Sequence, residues 1–367
     1  MQQRPIEILF LVPYPLKRAP SQRFRVEQYL PILDEAGIRY RVDSFLNESG
    51  WLALYLSGSV LQKILAISGG FFRRFLMLFS GLSSYDFVFI HREATPIGPP
   101  VIEWLMAKVW RKKILYDYDD AIWMPDPSGF NRAGWLKNYS KVGWICGWSA
   151  RVIGGNEFLC AFARRHNSYV TYIPTVIDEH WGNGGIKSHR EHRPVLGWTG
   201  SFTTLFYLNE LVPILQKLEK EFDFDFLVIA DQDPKLPLSN YRFIRWRRET
   251  EREDLLQLDI GVMPLTDNIW SEGKCGFKLI QYYSLGIPAI ASSVGVNTQI
   301  ISDDSIGYLC KTSEEWEKAL HLLIESVTLR EKMGSRGREV VMSRYSLRAQ
   351  KNNFLQLFYG HSNVLEA

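Results

Sequence analysis

Residues 268–295, NIWSEGKCGFKLIQYYSLGIPAIASSVG, constrain the fold more than any other stretch. Lys274 and Lys278 flank Gly276 at the start of an apolar helical run, which Gly286 and Pro288 end before a strand-like Ala289-Ile290-Ala291. The pattern predicts loop, helix, turn and strand. A helix N-terminus carries backbone N–H groups and a partial positive charge, so a glycine that lets a ligand approach, with lysines beside it, makes an anion site. The anion that fits best is a nucleotide diphosphate. The plainer account is a buried helix and strand with solvated lysines.

A chain of 367 residues suits two domains rather than one core. Its 46% hydrophobic and 23% charged residues are those of a globular protein, and a net charge of +3 gives no argument for a nucleic-acid partner. Cys146, Cys160, Cys275 and Cys310 show no CxxC pairing. They predict free thiols in a reducing cytoplasm, with no structural metal. The apolar run at residues 6–12 is cut off by Pro13 and Pro15, so it reads as a first strand and not as a signal peptide.

From that strand onward the pattern is a doubly wound α/β chain, whose ligands sit beyond the strand C-terminal ends. The loop after it carries Lys17, Arg18, Arg23 and Arg25 but no GxGxxG, which argues against a dinucleotide dehydrogenase. An amphipathic helix follows over residues 21–38, closed by Gly37. His91-Arg92-Glu93 and residues 117–120 fall at two later strand ends, again on the ligand side. Residues 179–193, rich in glycine and histidine, read as an interdomain linker. His180, His189 and His192 there admit a metal site, though a solvated linker explains them more simply. The second domain opens with a strand and a Gly197-x-x-Gly200-Ser201-x-Thr203-Thr204 turn before a helix, a second anion-shaped loop.

Residues 51–82 have the most unusual composition. On a helical period Ser59, Gln62, Lys63, Ala66, Gly70, Arg73 and Arg74 form one narrow stripe, leaving a broad apolar arc from Val60 to Phe79. Charge interrupts the run too often for a bilayer span, which needs about 20 apolar residues. Two accounts remain: an amphipathic segment lying in a membrane interface, and a core helix pair around Gly69-Gly70.

Residues 273–282, Gly286, Pro288, Ala291-Ser292 and residues 294–297 resemble the donor-binding signature of retaining GT-B glycosyltransferases, in the subgroup written GKCGFKLIQY…G.P..AS.VG.N. DYDDAIW at 117–123, GNEFL at 155–159 and PTVID at 174–178 resemble the same subgroup. The resemblance implies an α/β GT-B fold of two Rossmann-like domains facing across a crevice. Residues 1–178 would form the acceptor domain, 179–193 the linker and 194–344 the nucleotide-sugar domain. A last helix over 345–360, with Leu347, Phe354 and Phe358 on one face, would return to the first domain.

The resemblance also implies a glycosyltransferase that moves a sugar from a nucleotide-diphosphate donor to an acceptor hydroxyl with retention. Neither metal nor cofactor is expected, and if residues 51–82 lie on the membrane, the acceptor expected is a lipid-linked or envelope glycan at its inner face. Lys274 and Lys278 would stabilise the leaving diphosphate, and Gly200, Ser201, Thr203, Gly276, Phe277 and Gln281 would bind the donor. His91, Asp119 and Asp120, with Glu93 beside them, are the acceptor-side groups, although the leaving phosphate itself takes the acceptor proton in the family. Asp119 and Asp120 have a structural reading as well, as residues ordering a loop or capping a helix. The family's two glutamates correspond to Gly273 and Gln281, so the ribose-holding carboxylate is missing. Glu272 lies one residue out of register. Asp117-Tyr118-Asp119 also matches the DxD metal motif of the other glycosyltransferase architecture. A sugar-nucleotide epimerase or phosphorylase of the same fold, and a membrane-bound module with a degenerate donor site, are the competing functions.

Overall fold

The computed structural model describes residues 4–125, 134–182 and 185–359. They divide into two compact units, one reaching to Thr175 and resuming at Gln350, the other comprising Val176–Ala349. Residues 183–184 of the expected linker lie outside the described residues.

In the first unit β1 (Glu7–Val12), β2 (Arg39–Ser44), β3 (Phe87–His91), β4 (Lys113–Tyr118), β5 (Arg151–Gly154) and β6 (Val170–Tyr172) form one parallel sheet in the order β2-β1-β3-β4-β5-β6. The residues of β1 from Ile8 onward are wholly buried, as a strand covered on both faces requires. β2, an edge strand reading RYRVDS, has no such run and no expectation pointed to it. The helix expected over 21–38 is broken. It comprises Pro20–Arg25, a 3-10 turn Glu27–Tyr29 and a second helix Leu30–Glu35. Pro31 offers no N–H to the preceding turn, and Val26 leaves helical geometry at φ −126°. Gly37, at φ 68°, closes the second helix in the left-handed conformation. Phe354 stacks on Tyr29 with ring centres 4.0 Å apart, and Phe358 meets Phe87, so these two residues belong to this unit's core.

The second unit holds β7 (Val195–Gly200), β8 (Asp225–Ala230), β9 (Tyr241–Arg245), β10 (Ile260–Met263), β11 (Ala289–Ser292) and β12 (Gly307–Cys310), parallel in the order β12-β11-β10-β7-β8-β9. The helix expected after Gly200 is instead a 3-10 helix Phe202–Glu210 followed by Val212–Leu218, with Pro213 starting the latter. The linker histidines are not all solvated. The His189 side chain is buried and bonds the Gly286 carbonyl oxygen at 3.0 Å, while His192 and Lys187 pair with the fully buried Asp259. Burial pulls the His189 imidazole below its ordinary range, against the opposing pull of Gly286 and Asp259.

The helix Val60–Phe79 is oriented opposite to a helix in water. The part of its stripe from Ala66 to Arg74 faces the protein, while Ser59, Gln62 and Lys63 are exposed: Gly70 lies under the Phe45 ring, and a Cβ there would meet that ring at 2.6 Å. Arg74, at 0% exposure, donates to the carbonyls of Val12, Asp43 and Ala94 at 3.0 Å each and pairs with the Asp43 carboxylate. The apolar arc points out, with Leu61 65%, Leu65 61% and Phe79 66% exposed. A core packing around Gly69-Gly70 therefore accounts for the stripe and not for the arc. Among the described residues no helix is long and apolar enough to cross a membrane.

Candidate active site

In an open parallel sheet the ligand crevice opens where the strand order reverses, outside the strand C-terminal ends. In the second unit that point lies between β7 and β10. The loops leaving those two strands contain Gly200-Ser201-Phe202-Thr203 and residues 267–278. Trp198 joins them: a Cβ on Gly200 would strike its ring at 2.3 Å, and the Lys278 ammonium lies 5.3 Å from the centre of the same ring. Only glycine therefore fits at the end of β7, and the indole places the lysine beside that turn. Ser201 and Thr203 share a hydroxyl hydrogen bond of 3.0 Å, and the Phe202 N–H donates to Asp231 at 2.6 Å.

Gly276, at φ 65°, is the N-cap of the helix Phe277–Ser284, and a Cβ there would meet Ile300 at 2.3 Å. A left-handed backbone and the Ile300 side chain packed against it both call for glycine here. Lys274 sits over the Trp270 ring at 5.1 Å. Tyr282 anchors this helix to the sheet by accepting from the Thr199 N–H at 3.1 Å and donating to the Val262 carbonyl at 3.4 Å, while Gly261 leaves room for its ring. The buried Asn297 bonds the Ser292 carbonyl through its NH2 group, and its own carbonyl oxygen is left without a partner.

Gln281 is 4% exposed and donates to Glu251 at 3.1 Å. Glu251, also buried, accepts from the Trp246 indole at 3.3 Å. A carboxylate from the first turn of the helix Glu251–Leu255 thus stands beside Gln281. No sequence pattern singles out Glu251, since it is one of several acids in a charged stretch. Trp198 was equally hidden, because an apolar residue inside a buried strand looks like core.

The first unit gathers its own polar cluster where its order reverses between β1 and β3. His91, ending β3, is completely buried, with Nδ1 2.7 Å from Asp117 and Nε2 3.0 Å from the Ser21 hydroxyl. Arg25 pairs with Asp117 and donates to the Ile173 carbonyl at 2.5 Å. The helix break at Val26 delivers Ser21 and Arg25 to these strand ends. Arg92 bonds Asp119 at 2.9 Å and Asp120 at 3.0 Å from a left-handed backbone at φ 61°, an uncommon geometry for a side-chain-bearing residue. Burial opposes the Asp119 charge, yet Arg92, with help from His91, outweighs it and holds the carboxyl well below its usual range. Glu93 is held by Lys137 and Lys141 at 3.2 and 2.6 Å.

Of the expected acceptor-side groups, His91 is thus interior, and Asp119 and Asp120 share one guanidinium. In the DxD match Asp117 and Asp119 each already carry an arginine partner. Among the described residues no group of three or more His, Cys, Asp or Glu is disposed to hold a metal ion.

Residues 193–326, the greater part of the second unit, match the family model described as glycosyl transferases group 1. No curated protein matches the chain. Solved structures align with nearly all of it: sucrose-phosphate synthase from Thermosynechococcus elongatus at 13% identity and TM-score 0.68, covering 97% of this chain and 98% of that one. A glycosyltransferase from Rickettsia africae gives 14%, 0.68, 97% and 98%. Anabaena HepE in complex with UDP and glucose gives 13%, 0.68, 96% and 99%. The two-sheet α/β fold is that of GT-B glycosyltransferases. With the group 1 match over its second unit, the protein is a glycosyltransferase.

Proposed function

We propose that the protein transfers a sugar from a nucleotide-diphosphate donor, with retention and without a metal, to a lipid-linked or envelope glycan acceptor at the cytoplasmic face of the membrane. The observation that carries the donor reading is Trp198, which brings Gly200 and Lys278 to the reversal of the second sheet. As the bond to the anomeric carbon lengthens, negative charge grows on the diphosphate and positive charge on the sugar. Lys274, Lys278 and the helix start at Gly276-Phe277 receive that negative charge. Gly200, Ser201 and Thr203 hold the phosphate and sugar oxygens from the other loop. Gln281 takes the nucleoside side, where Glu251 supplies the carboxylate that the ribose-holding position lacks. HepE, solved with UDP and with UDP-glucose, supports a nucleotide-sugar donor.

On the acceptor side the buried His91 acts as a positioning residue, holding Ser21 from within. Asp119 and Asp120 are arranged by Arg92 to receive an acceptor hydroxyl. Turnover with the cognate donor and acceptor tests the reading. Lys278→Ala is expected to lower kcat by about 100-fold with little change in acceptor KM, since one lost oxyanion donor costs roughly 3 kcal/mol in the transition state. A normal kcat in that variant contradicts it. NMR of the product anomer tests retention. An epimerase or phosphorylase would convert the donor without an acceptor, and a degenerate module would bind donor and transfer nothing.

A further inference from the structure

The outward arc of the helix Val60–Phe79 continues into a second apolar surface. Phe79 meets Trp110 edge to face with ring centres 5.5 Å apart, and Val101, Trp104 and Val109 beside it are exposed. Between the two surfaces lies a cavity of about 630 Å³, walled by Phe71, Phe75, Ile97, Val101 and Ile102 among others. That volume is within the range of about 300–1,000 Å³ that small-molecule sites occupy. Thr95 is the one polar side chain among the described walls, and its buried hydroxyl has no hydrogen-bond partner. A buried hydroxyl without a partner costs stability unless a ligand oxygen meets it.

The charge around this surface is mostly positive, and Asp86, the acid near Lys112, is paired with Arg4. Residues 51–82 contain no acid, and between residues 99 and 116 the one acid, Glu103, is buried. Lys63, Lys108, Arg111 and Lys113 are exposed. An apolar face rimmed by cations complements an anionic bilayer, whose surface potential attracts basic residues and whose acyl region takes the apolar ones.

We propose that this face docks on an anionic membrane and that the cavity takes one hydrocarbon chain of a lipid, with Thr95 donating to an oxygen at the chain's head. The inference deepens the proposed membrane address and rests on it only for the identity of the acceptor. The loop that walls the cavity begins two residues after Glu93, so a lipid held there lies on the same connection as the cluster of Arg92, Asp119 and Asp120.

The test uses the full chain with phosphatidylcholine vesicles, with and without phosphatidylglycerol, doped with a phospholipid bearing a diazirine in its acyl chain. Binding to the anionic vesicles is expected to exceed binding to the neutral ones by at least about tenfold at low salt. Photolabel should map to the peptides containing Phe71, Phe75 and Ile97. Leu61→Glu/Leu65→Glu should weaken vesicle binding by at least about tenfold. Ile97→Trp, which puts a bulky ring into the cavity, should keep vesicle binding and weaken the label. No sedimentation with anionic vesicles, label outside the cavity, or equal labelling of Ile97→Trp would overturn the proposal. So would a dimer in solution that Leu61→Glu/Leu65→Glu converts to monomer, because a second copy would then cover the face. Nucleotide-sugar binding, measured on the same samples without lipid, separates the two readings: donor bound without lipid binding defeats the docking alone, and lipid bound without donor binding defeats the transferase reading alone.

Discussion

Asp119 keeps its charge because Arg92 spends an uncommon backbone geometry to reach it, and the two residues are tuned together. Arg92 is pushed above its ordinary range: burial lowers it, but the paired carboxylates raise it by more. For Asp119 the folded value is depressed, so its stabilising contribution is complete above the ordinary carboxylate value. It is lost as pH falls through the lower folded value. Asp119→Asn should therefore flatten the acid limb of a stability-versus-pH curve measured by urea unfolding; an unchanged limb would contradict the pairing. Arg92→Ala leaves two carboxylates facing each other and should cost about 2 kcal/mol, less than a fully buried pair because the guanidinium is partly exposed. At Gly276 the left-handed φ and the nearby Ile300 act together. Gly276→Ala should lose about 1–2 kcal/mol of stability in the same assay and weaken donor binding measured by calorimetry.

The helix Val60–Phe79 inverts the usual ranking of substitutions. Its exposed leucines are surrounded by water in the free protein, so Leu61→Ser or Leu65→Ser should change stability by less than about 0.5 kcal/mol. Arg74 is the opposite case. Burial lowers its guanidinium to about 10 despite the opposing pull of Asp43 and Glu103, and its hydrogen bonds tie the helix to β1, β2 and the loop after β3. Arg74→Leu leaves Asp43 with Arg41 alone and takes a donor from three carbonyls, and a loss of about 3 kcal/mol is expected in chemical denaturation. A ranking in which the leucine variants cost more would place the apolar arc in a core. The sequence made the helix and its two faces legible through their spacing. It did not reveal which face is inside, because a fully bonded arginine and a solvated one look alike in one dimension.

Across the whole molecule, the strands with long apolar runs, β1, β3, β4, β7 and β8, were readable because a sheet covered on both faces demands such runs. The edge strands β2 and β12 were not: each has one neighbour, and β2 mixes charge into its pattern. Lys274, Lys278 and Gly276 stood out because glycine and lysine beside a helix start have few other reasons to coincide. Arg25 was legible as one of the basic residues after β1, whereas Trp198, Glu251 and Ser21 matter through contacts with residues distant in sequence, which no local pattern records.

The proposed transfer depends on a metal-free nucleotide-sugar site built on the two loops that Trp198 joins. Ligand-observed NMR of the purified protein against UDP-, GDP-, ADP- and TDP-sugars, with and without EDTA and repeated on Lys278→Ala, tests it most directly. One donor should bind, keep its affinity in EDTA, and bind the variant about tenfold more weakly, as expected for the loss of one charge-assisted contact. Absence of binding by every donor, or binding abolished by EDTA, would contradict the account.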